Sequence, residues 1–244
     1  MLTYGLNNIS SRCLNVKGEE GKNKRKRVVI PHFNILNIFV FEIRNRNRMM
    51  DKILALSTQN QQKAWDIIKD TNVINIWKSI GATINLIGSL KLGLMMKHCD
   101  IDFHIYTSPF SLTDSFAAMA QLAEHPSIKR IEYSNLLKKE DACLEWHAWY
   151  EDRDGKMWHI DMIHIVKNSR FDGYFEDVTN RIANVLNEEI KNTILSLKYE
   201  TPDDQKIMGI EYYQAVIEGG VRTYQDFIQW RKENPATGIV EWKP

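Results

Sequence analysis

From residue 59 onward, apolar and polar positions follow one another regularly enough to be read as elements. Ala64, Trp65, Ile67, Ile68, Val73, Ile76, Trp77 and Ile80 recur at helical intervals between Gln59 and Ile80, with Thr71 placed to cap a second helix and Gly81 to end the run. Thr83 to Ile87 is a short apolar run that stops at Gly88-Ser89, the pattern of a strand feeding a tight turn. Leu90 to Cys99 reads as a loop or short helix. The segment Asp100 to Tyr106 then alternates strictly, with Asp100, Asp102 and His104 on one side and Ile101, Phe103 and Ile105 on the other. Such a strand buries its apolar side and turns its acidic side to a cleft or to water.

A helix is expected over Leu112 to Ala123 and a strand over Ile128 to Tyr133. Cys143 to Tyr150 and Lys156 to Val166 flank Asp154-Gly155, a strong hairpin signal. On the second hairpin strand Trp158, Ile160 and Met162 share one face while His159, Asp161 and Ile163 share the other, so Asp161 sits between large apolar neighbours as Asp102 does. Beyond Val166 the period is helical. Val178, Ile182, Val185, Leu186, Ile190 and Ile194 form one long stripe, and Thr201-Pro202 has the form of an N-cap and first-turn proline for a helix through Ile207 to Ile217. Gly219-Gly220 breaks that helix, and Thr223 is placed to cap a last one through Trp230. Helices, then a mixed sheet, then a helical tail imply an α+β protein: a core over residues 49–168 and a C-terminal helical domain over 169–244.

Residues 1–48 have no such period. They carry ten Lys and Arg against three Asp and Glu, which leaves 22 against 28 for residues 49–244, so the whole-chain charge of +1 describes neither part. The periodic pattern starts directly after Met49-Met50, which raises the expectation that translation naturally begins there; the rivals are a basic tail touching nucleic acid or membrane and an edge strand over Ile35 to Ile43. The most apolar stretch, Val28 to Phe41, is interrupted by Pro31, His32, Asn34 and Asn37 and falls short of the roughly 20 residues that cross a bilayer. Three cysteines, Cys13, Cys99 and Cys143, lack the spacings of a disulfide or zinc scaffold, and a reducing, cytoplasmic setting is expected.

The chemistry concentrates in three carboxylates, Asp100, Asp102 and Asp161, on the polar sides of two expected strands. Carboxylates at i and i+2 of a strand project from one face, close enough to share hard cations such as Mg²⁺. A third from a neighbouring strand completes a two-metal site. The Gly88-Ser89 turn lets backbone and a hydroxyl approach phosphate closely. An Asp-x-Asp pair alone is a weak signal, since solvated strand faces produce it and metal-dependent glycosyltransferases use it. The Gly-Ser turn at this spacing and the buried alternation around Asp102 give it weight. These residue types and their order fit phosphoryl or nucleotidyl transfer.

Gly88-Ser89-Leu90-Lys91-Leu92-Gly93-Leu94 followed by Lys97-His98-Cys99-Asp100-Ile101-Asp102-Phe103 resembles the glycine-serine and paired-aspartate signature of the DNA polymerase β-like nucleotidyltransferase superfamily, in particular its bacterial antibiotic-nucleotidyltransferase-like and small-nucleotidyltransferase-like members. The specific match covers residues 84–106. The resemblance implies a mixed sheet flanked by helices, two Mg²⁺ ions held by Asp100 and Asp102 with Asp161 as the third carboxylate, and a grip by Gly88 and Ser89 on the β- and γ-phosphates. Glu145, on the partner strand, is the substitute for Asp161 if the pairing register differs.

Lys91 and Lys97 are placed to neutralise triphosphate charge, with Lys191 and Lys198 as candidates from the helical region. His104 and His159 flank the aspartates. His147, His159 and His164 are potential zinc ligands, but their spacing matches no compact pattern and a structural or solvent-facing role is the expectation. Trp146, Trp149 and Trp158, and the stripe Ile210, Tyr213, Ala215, Val216 and Ile217, read first as packing. The expected protein is a Mg²⁺-dependent enzyme that moves a nucleoside monophosphate from a triphosphate, ATP first, to a hydroxyl. A small molecule or protein is favoured over nucleic acid as the acceptor, because the acidic body offers little to a phosphate backbone. The alternative is an inactive nucleotide-binding or protein-interaction module on the same fold.

Overall fold

The alternating segments become five strands of one mixed sheet. The computed structural model describes residues 33–244; the basic run Lys22 to Arg27 and the remainder of residues 1–32 lie outside the described residues. Helix α1 (Phe33–Thr71) is followed by α2 (Val73–Ser79), β1 (Thr83–Ile87), a short α3 (Gly88–Leu92), β2 (Asp100–Tyr106), α4 (Leu112–Ala123), β3 (Ile128–Asn135), β4 (Cys143–Glu151) and β5 (Met157–Ile165). Four helices complete the chain: α5 (Tyr174–Val185), α6 (Glu188–Glu200), α7 (Gly209–Ile217) and α8 (Tyr224–Glu233).

The strand order is β1-β2-β5-β4-β3, with β2 and β5 parallel and every other pair antiparallel. On one face Ile101, Phe103, Ile160, Met162, Trp146 and Ala148 are buried against Ala64 and Ile67 of α1, Trp77 of α2 and Leu122 of α4. Each large side chain removed from water there contributes roughly 1.5–3 kcal/mol. The opposite face carries the polar residues of β2, β5 and β4. A second apolar cluster gathers α5, α6, α7 and α8 around Ile194, Leu195, Tyr212, Val216 and Phe227, joined by Leu92, Leu94 and Met96 from the segment after β1.

Four expectations are corrected. Ile35 to Ile43 is helical rather than an edge strand, in keeping with Ile38-Phe39-Val40-Phe41, which lacks the two-residue alternation of a half-buried strand. Thr71 does not cap α2: its hydroxyl donates back to the carbonyl of Ile67 at 2.7 Å, and Asn72, left-handed at φ 54°, makes the break. The stripe from Val178 to Ile194 is two helices, because Asn187 turns out of α5 and accepts the amide of Ile190 as the N-cap of α6. Thr201 closes α6 instead of opening α7; its hydroxyl donates to the carbonyl of Leu197 at 2.8 Å, and α7 begins only at Gly209, with Glu211 reaching back to the Met208 amide.

Candidate functional site

The polar face of the sheet is set by register. Asp102 pairs with Ile87 at the end of β1 on one side and with Asp161 of β5 on the other, while Asp100 pairs with His159. Parallel neighbours in register present the same face, so Asp102 and Asp161 project side by side. His147 of β4 lies opposite Asp161 and contacts its carboxylate through Nδ1. Glu145 is on the same face but opposite Ile163, two strands from Asp102. The register therefore puts Asp161, rather than Glu145, beside the pair.

The chain leaves β1 at Ile87 in an extended conformation and turns at Gly88, whose φ is +68°. A Cβ at that position would run into the carboxylate of Asp102. Glycine is needed here for both reasons, because the turn requires a left-handed residue and the aspartate fills the space a side chain would take. Ser89 follows. Its hydroxyl lies 2.9 Å from that of Tyr213 on α7 and accepts a hydrogen bond from the Lys198 ammonium of α6 at 2.8 Å. Lys198 also donates to the carbonyl of Leu94 at 3.0 Å, which anchors it to the segment behind the turn.

Between these elements is a cleft of about 540 Å³ whose lining includes Gly88, Ser89, Asp100, Asp102, Asp161, His159, Lys198 and Tyr213. Phe175, Val178 and Ile182 of α5 and Ile207 to Ile210 make its apolar wall. Loss of solvation, then the neighbouring charges of Asp161 and Asp100, push the Asp102 carboxyl up to about 7, against the opposing pull of Lys198 and His159. Negative charge is thus concentrated beyond what the local cations balance. Asp100, Asp102 and Asp161 all line this cleft, and their carboxylate oxygens are the kind of donor that hard divalent cations such as Mg²⁺ prefer.

The lysines divide differently from the sequence expectation. Lys91 is exposed and does not line the cleft; Lys97 is engaged with the Thr201 carbonyl and with Asp203 at 2.6 Å. Lys198 and Lys206 are the lysines on the cleft wall. Tyr213, assigned by its period to packing, is buried yet delivers its hydroxyl to Ser89. Only the approach of α6 and α7 to the turn distinguishes these two residues from other helical lysines and tyrosines, and no local signal marks them.

The histidines also separate. His164 is on the apolar face, fully buried, held by the hydroxyls of Thr107 at 2.9 Å and Ser115 at 3.1 Å and stacked on Phe110; burial pushes its pKa down to about 4. His147 and His159 remain on the polar face beside Asp161. His104 meets Glu176 at the start of α5 at 3.3 Å, and Asn85 donates to the same carboxylate at 3.2 Å. Burial alone would raise the Glu176 pKa, but the hydrogen bond and charge of His104, with Asn85, bring it down to about 2. Trp146 and Trp158 are buried, as their packing role requires, whereas Trp149 is half-buried against His159.

No protein-family model matches the chain, and no curated protein matches it. Among solved structures it is similar to the Cid1 poly(U) polymerase bound to MgGTP, with a TM-score of 0.50 and 14% identity over 69% of this chain and 55% of that one. A cytoplasmic RNA terminal U-transferase (TM-score 0.47, 14% identity, 70% and 52% covered) and the non-canonical poly(A) polymerase of the GLD-2–GLD-3 complex (0.46, 8%, 69% and 57%) also match. The chain spans a little over half the length of these solved chains. At such identity the likeness to Cid1 is one of fold alone: the α+β architecture, a mixed sheet flanked by helices, is shared with that polymerase.

Proposed function

We propose that the protein is a nucleotidyltransferase that moves a nucleoside monophosphate from a triphosphate to an acceptor hydroxyl and releases pyrophosphate. The in-register pairing of Asp102 with Asp161, on the floor of a cleft whose wall carries Ser89 and Lys198, is the observation that supports this most directly. Asp100, Asp102 and Asp161 would hold two Mg²⁺ ions, which supply activation of the attacking oxygen and neutralisation of triphosphate charge.

The protein's own groups divide the remaining work. Ser89 and the Gly88 turn bind the β- and γ-phosphates, and the Lys198 ammonium lies where it can extend from Ser89 to a phosphate oxygen. The acceptor oxygen forms a bond to the α-phosphorus while the bond from that phosphorus to the bridging oxygen breaks. The hydroxyl proton passes to the carboxylate of Asp161, and the charge appearing on pyrophosphate is met by Ser89 and Lys198. The apolar wall of α5 and the residues around Ile207 exclude water from the nucleoside side.

The acceptor is a hydroxyl, and two facts bear on its class. Residues 49–244 hold 22 cationic against 28 anionic side chains, which favours a small molecule or protein. One solved neighbour is a poly(U) polymerase, which makes an RNA 3′-hydroxyl the first acceptor to try, with ATP and UTP as the first triphosphates. Among the described residues no helix is long and apolar enough to cross a membrane, and Cys99 and Cys143 are buried free thiols, which suits a reducing, cytoplasmic setting. Magnesium-dependent release of pyrophosphate, measured over RNA, small-molecule and protein acceptors, tests the reaction. Asp100→Ala and Asp161→Ala must abolish it with the fold retained; unchanged turnover in either overturns the site.

A further inference from the structure

The polar face of β4 and β5 holds a group of nitrogen donors that oxygen-based magnesium chemistry does not use. One ring nitrogen each of His147 and His159 and a carboxylate oxygen of Asp161 all lie within 4.8 Å of one another. We propose that these three residues form a binding site for a borderline divalent transition ion, Zn²⁺ in the first instance, which shares Asp161 with the magnesium-binding carboxylates.

Backbone register builds the site. His147 stands directly opposite Asp161 across the β4–β5 ladder, and His159 is two residues before Asp161 on the same face. Both ligand nitrogens converge on one oxygen, Oδ1 of Asp161: His147 Nδ1 in contact with it, His159 Nε2 at 3.2 Å. His159 Nε2 is nevertheless shielded from solvent and has no hydrogen-bond partner. A buried ring nitrogen left unpaired is destabilising, and a bound cation would remove that penalty. The other nitrogen of each ring faces a second carboxylate: His147 Nε2 is 3.9 Å from Glu145, and His159 Nδ1 is 3.7 Å from Asp100. These separations are longer than hydrogen bonds; closed as the rings tilt onto an ion, they would let the carboxylates orient the histidines and raise their basicity, as in zinc sites. Trp149 packs on His159 with ring centroids 4.8 Å apart and restricts its movement. Ligation requires the His147 and His159 rings, now stacked 18° from parallel, to tilt toward a common point.

Two imidazoles and a carboxylate, with a fourth position open, suit zinc and its neighbours far better than magnesium. One consequence rests on the transferase proposal. Zinc held here withdraws Asp161 from the acceptor hydroxyl, so zinc would inhibit transfer and added magnesium would relieve it poorly.

The test is metal binding by the full chain in excess Mg²⁺, read by calorimetry with Zn²⁺ and by the visible absorption of four-coordinate Co²⁺. Expected are one Zn²⁺ per chain, the Co²⁺ bands, and a loss of at least about tenfold in zinc affinity in both His147→Gln and His159→Gln. The ring-proton resonances of the unaltered protein give a readout free of variants: two histidines shift on adding zinc while buried His164 does not. Zinc binding as tight in His159→Gln as in the parent, loss of the ion to Mg²⁺, or unmoved His147 and His159 resonances overturns the site. These readouts need no turnover, so a zinc-binding chain that releases no pyrophosphate sinks the transferase proposal alone, and an active chain that binds no zinc sinks this one alone.

Discussion

The Lys198 ammonium lies 2.8 Å from the Ser89 hydroxyl, although the two residues are 109 positions apart. This contact brings a helix of the C-terminal part onto the turn between β1 and α3. It also puts a positive charge beside the place assigned to the triphosphate, and not beside the carboxylates alone.

Replacing Lys198 by methionine keeps the apolar stem and removes the charge. A charge-assisted hydrogen bond is worth about 1.5–3 kcal/mol. The kcat/KM for the triphosphate should therefore fall roughly ten- to a hundredfold, with KM raised and kcat lowered, since Lys198 meets charge on the bound triphosphate and on the departing pyrophosphate. Steady-state pyrophosphate release at varied triphosphate concentration is the measurement, and an unchanged kcat/KM contradicts the role.

Gly88→Ala meets two obstacles, a left-handed φ of +68° and the Asp102 carboxylate in the space its Cβ would need. The strain should cost about 1–3 kcal/mol of stability, visible as a lower midpoint in thermal unfolding. Because relief can come only by moving Asp102 or the turn, turnover should fall much further than stability does. Gly155→Ala is the control: its φ is +77°, but nothing lies within 4 Å of the added Cβ, so it should destabilise without affecting turnover beyond the folded fraction.

His164 is neutral in the fold, its pKa pushed down to about 4 by burial from an ordinary value of 6.5. The unfolded chain takes up a proton as the pH falls below 6.5 and the folded chain resists until about 4, so stability is complete above 6.5 and declines through that window. The difference amounts to about 3 kcal/mol. Denaturant unfolding at a series of pH values should show this slope between pH 6.5 and 4, and His164→Gln should flatten it even if it lowers stability overall.

The Glu176 carboxylate, held by His104 and Asn85 near a pKa of about 2 against an ordinary 4.5, behaves in the opposite sense. Its ionised form contributes stability that is present above pH 4.5 and lost as the pH falls through about 2. Glu176→Gln should cost about 1–3 kcal/mol at neutral pH, and the gap between variant and parent should close in strong acid. Since Glu176 docks α5 on the polar sheet face, turnover should fall as well. A difference in unfolding free energy that stays constant from pH 7 to pH 2 contradicts the linkage.

β4 and β5 were legible because buried residues alternate with half-buried ones along them, whereas β1 and β3, which hold no fully buried residue, were read from their apolar runs and bounding turns. Thr83–Ile87 and Asp100–Tyr106 could be read to the residue from alternation and the glycine that follows the first, and Leu112–Ala123 from its helical period. Where apolar periodicity continued through a change of direction, it misled. Val185-Leu186 keeps the stripe going while Asn187 turns the chain, and Thr201-Pro202 has the composition of a helix start while its hydroxyl serves the helix behind it. In both, a side chain hydrogen-bonding to nearby backbone decided the outcome, and apolar spacing does not carry that information.

By itself the sequence determined which residues share a face: Asp100 with Asp102, His159 with Asp161, the Gly-Ser turn ahead of both. These are consequences of a two-residue strand period and one tight turn, and they act over a few positions. Tertiary structure decided which face met which. The parallel pairing of β2 with β5 set Asp161 and not Glu145 beside Asp102, and put His147 and His159 around one carboxylate while sending His164 into the core. The packing of α6 and α7 selected Lys198 and Tyr213 from several equivalent candidates. Register and docking follow from burying the whole apolar surface at once, a sum over contacts distant in the chain, so no local pattern can state them in advance.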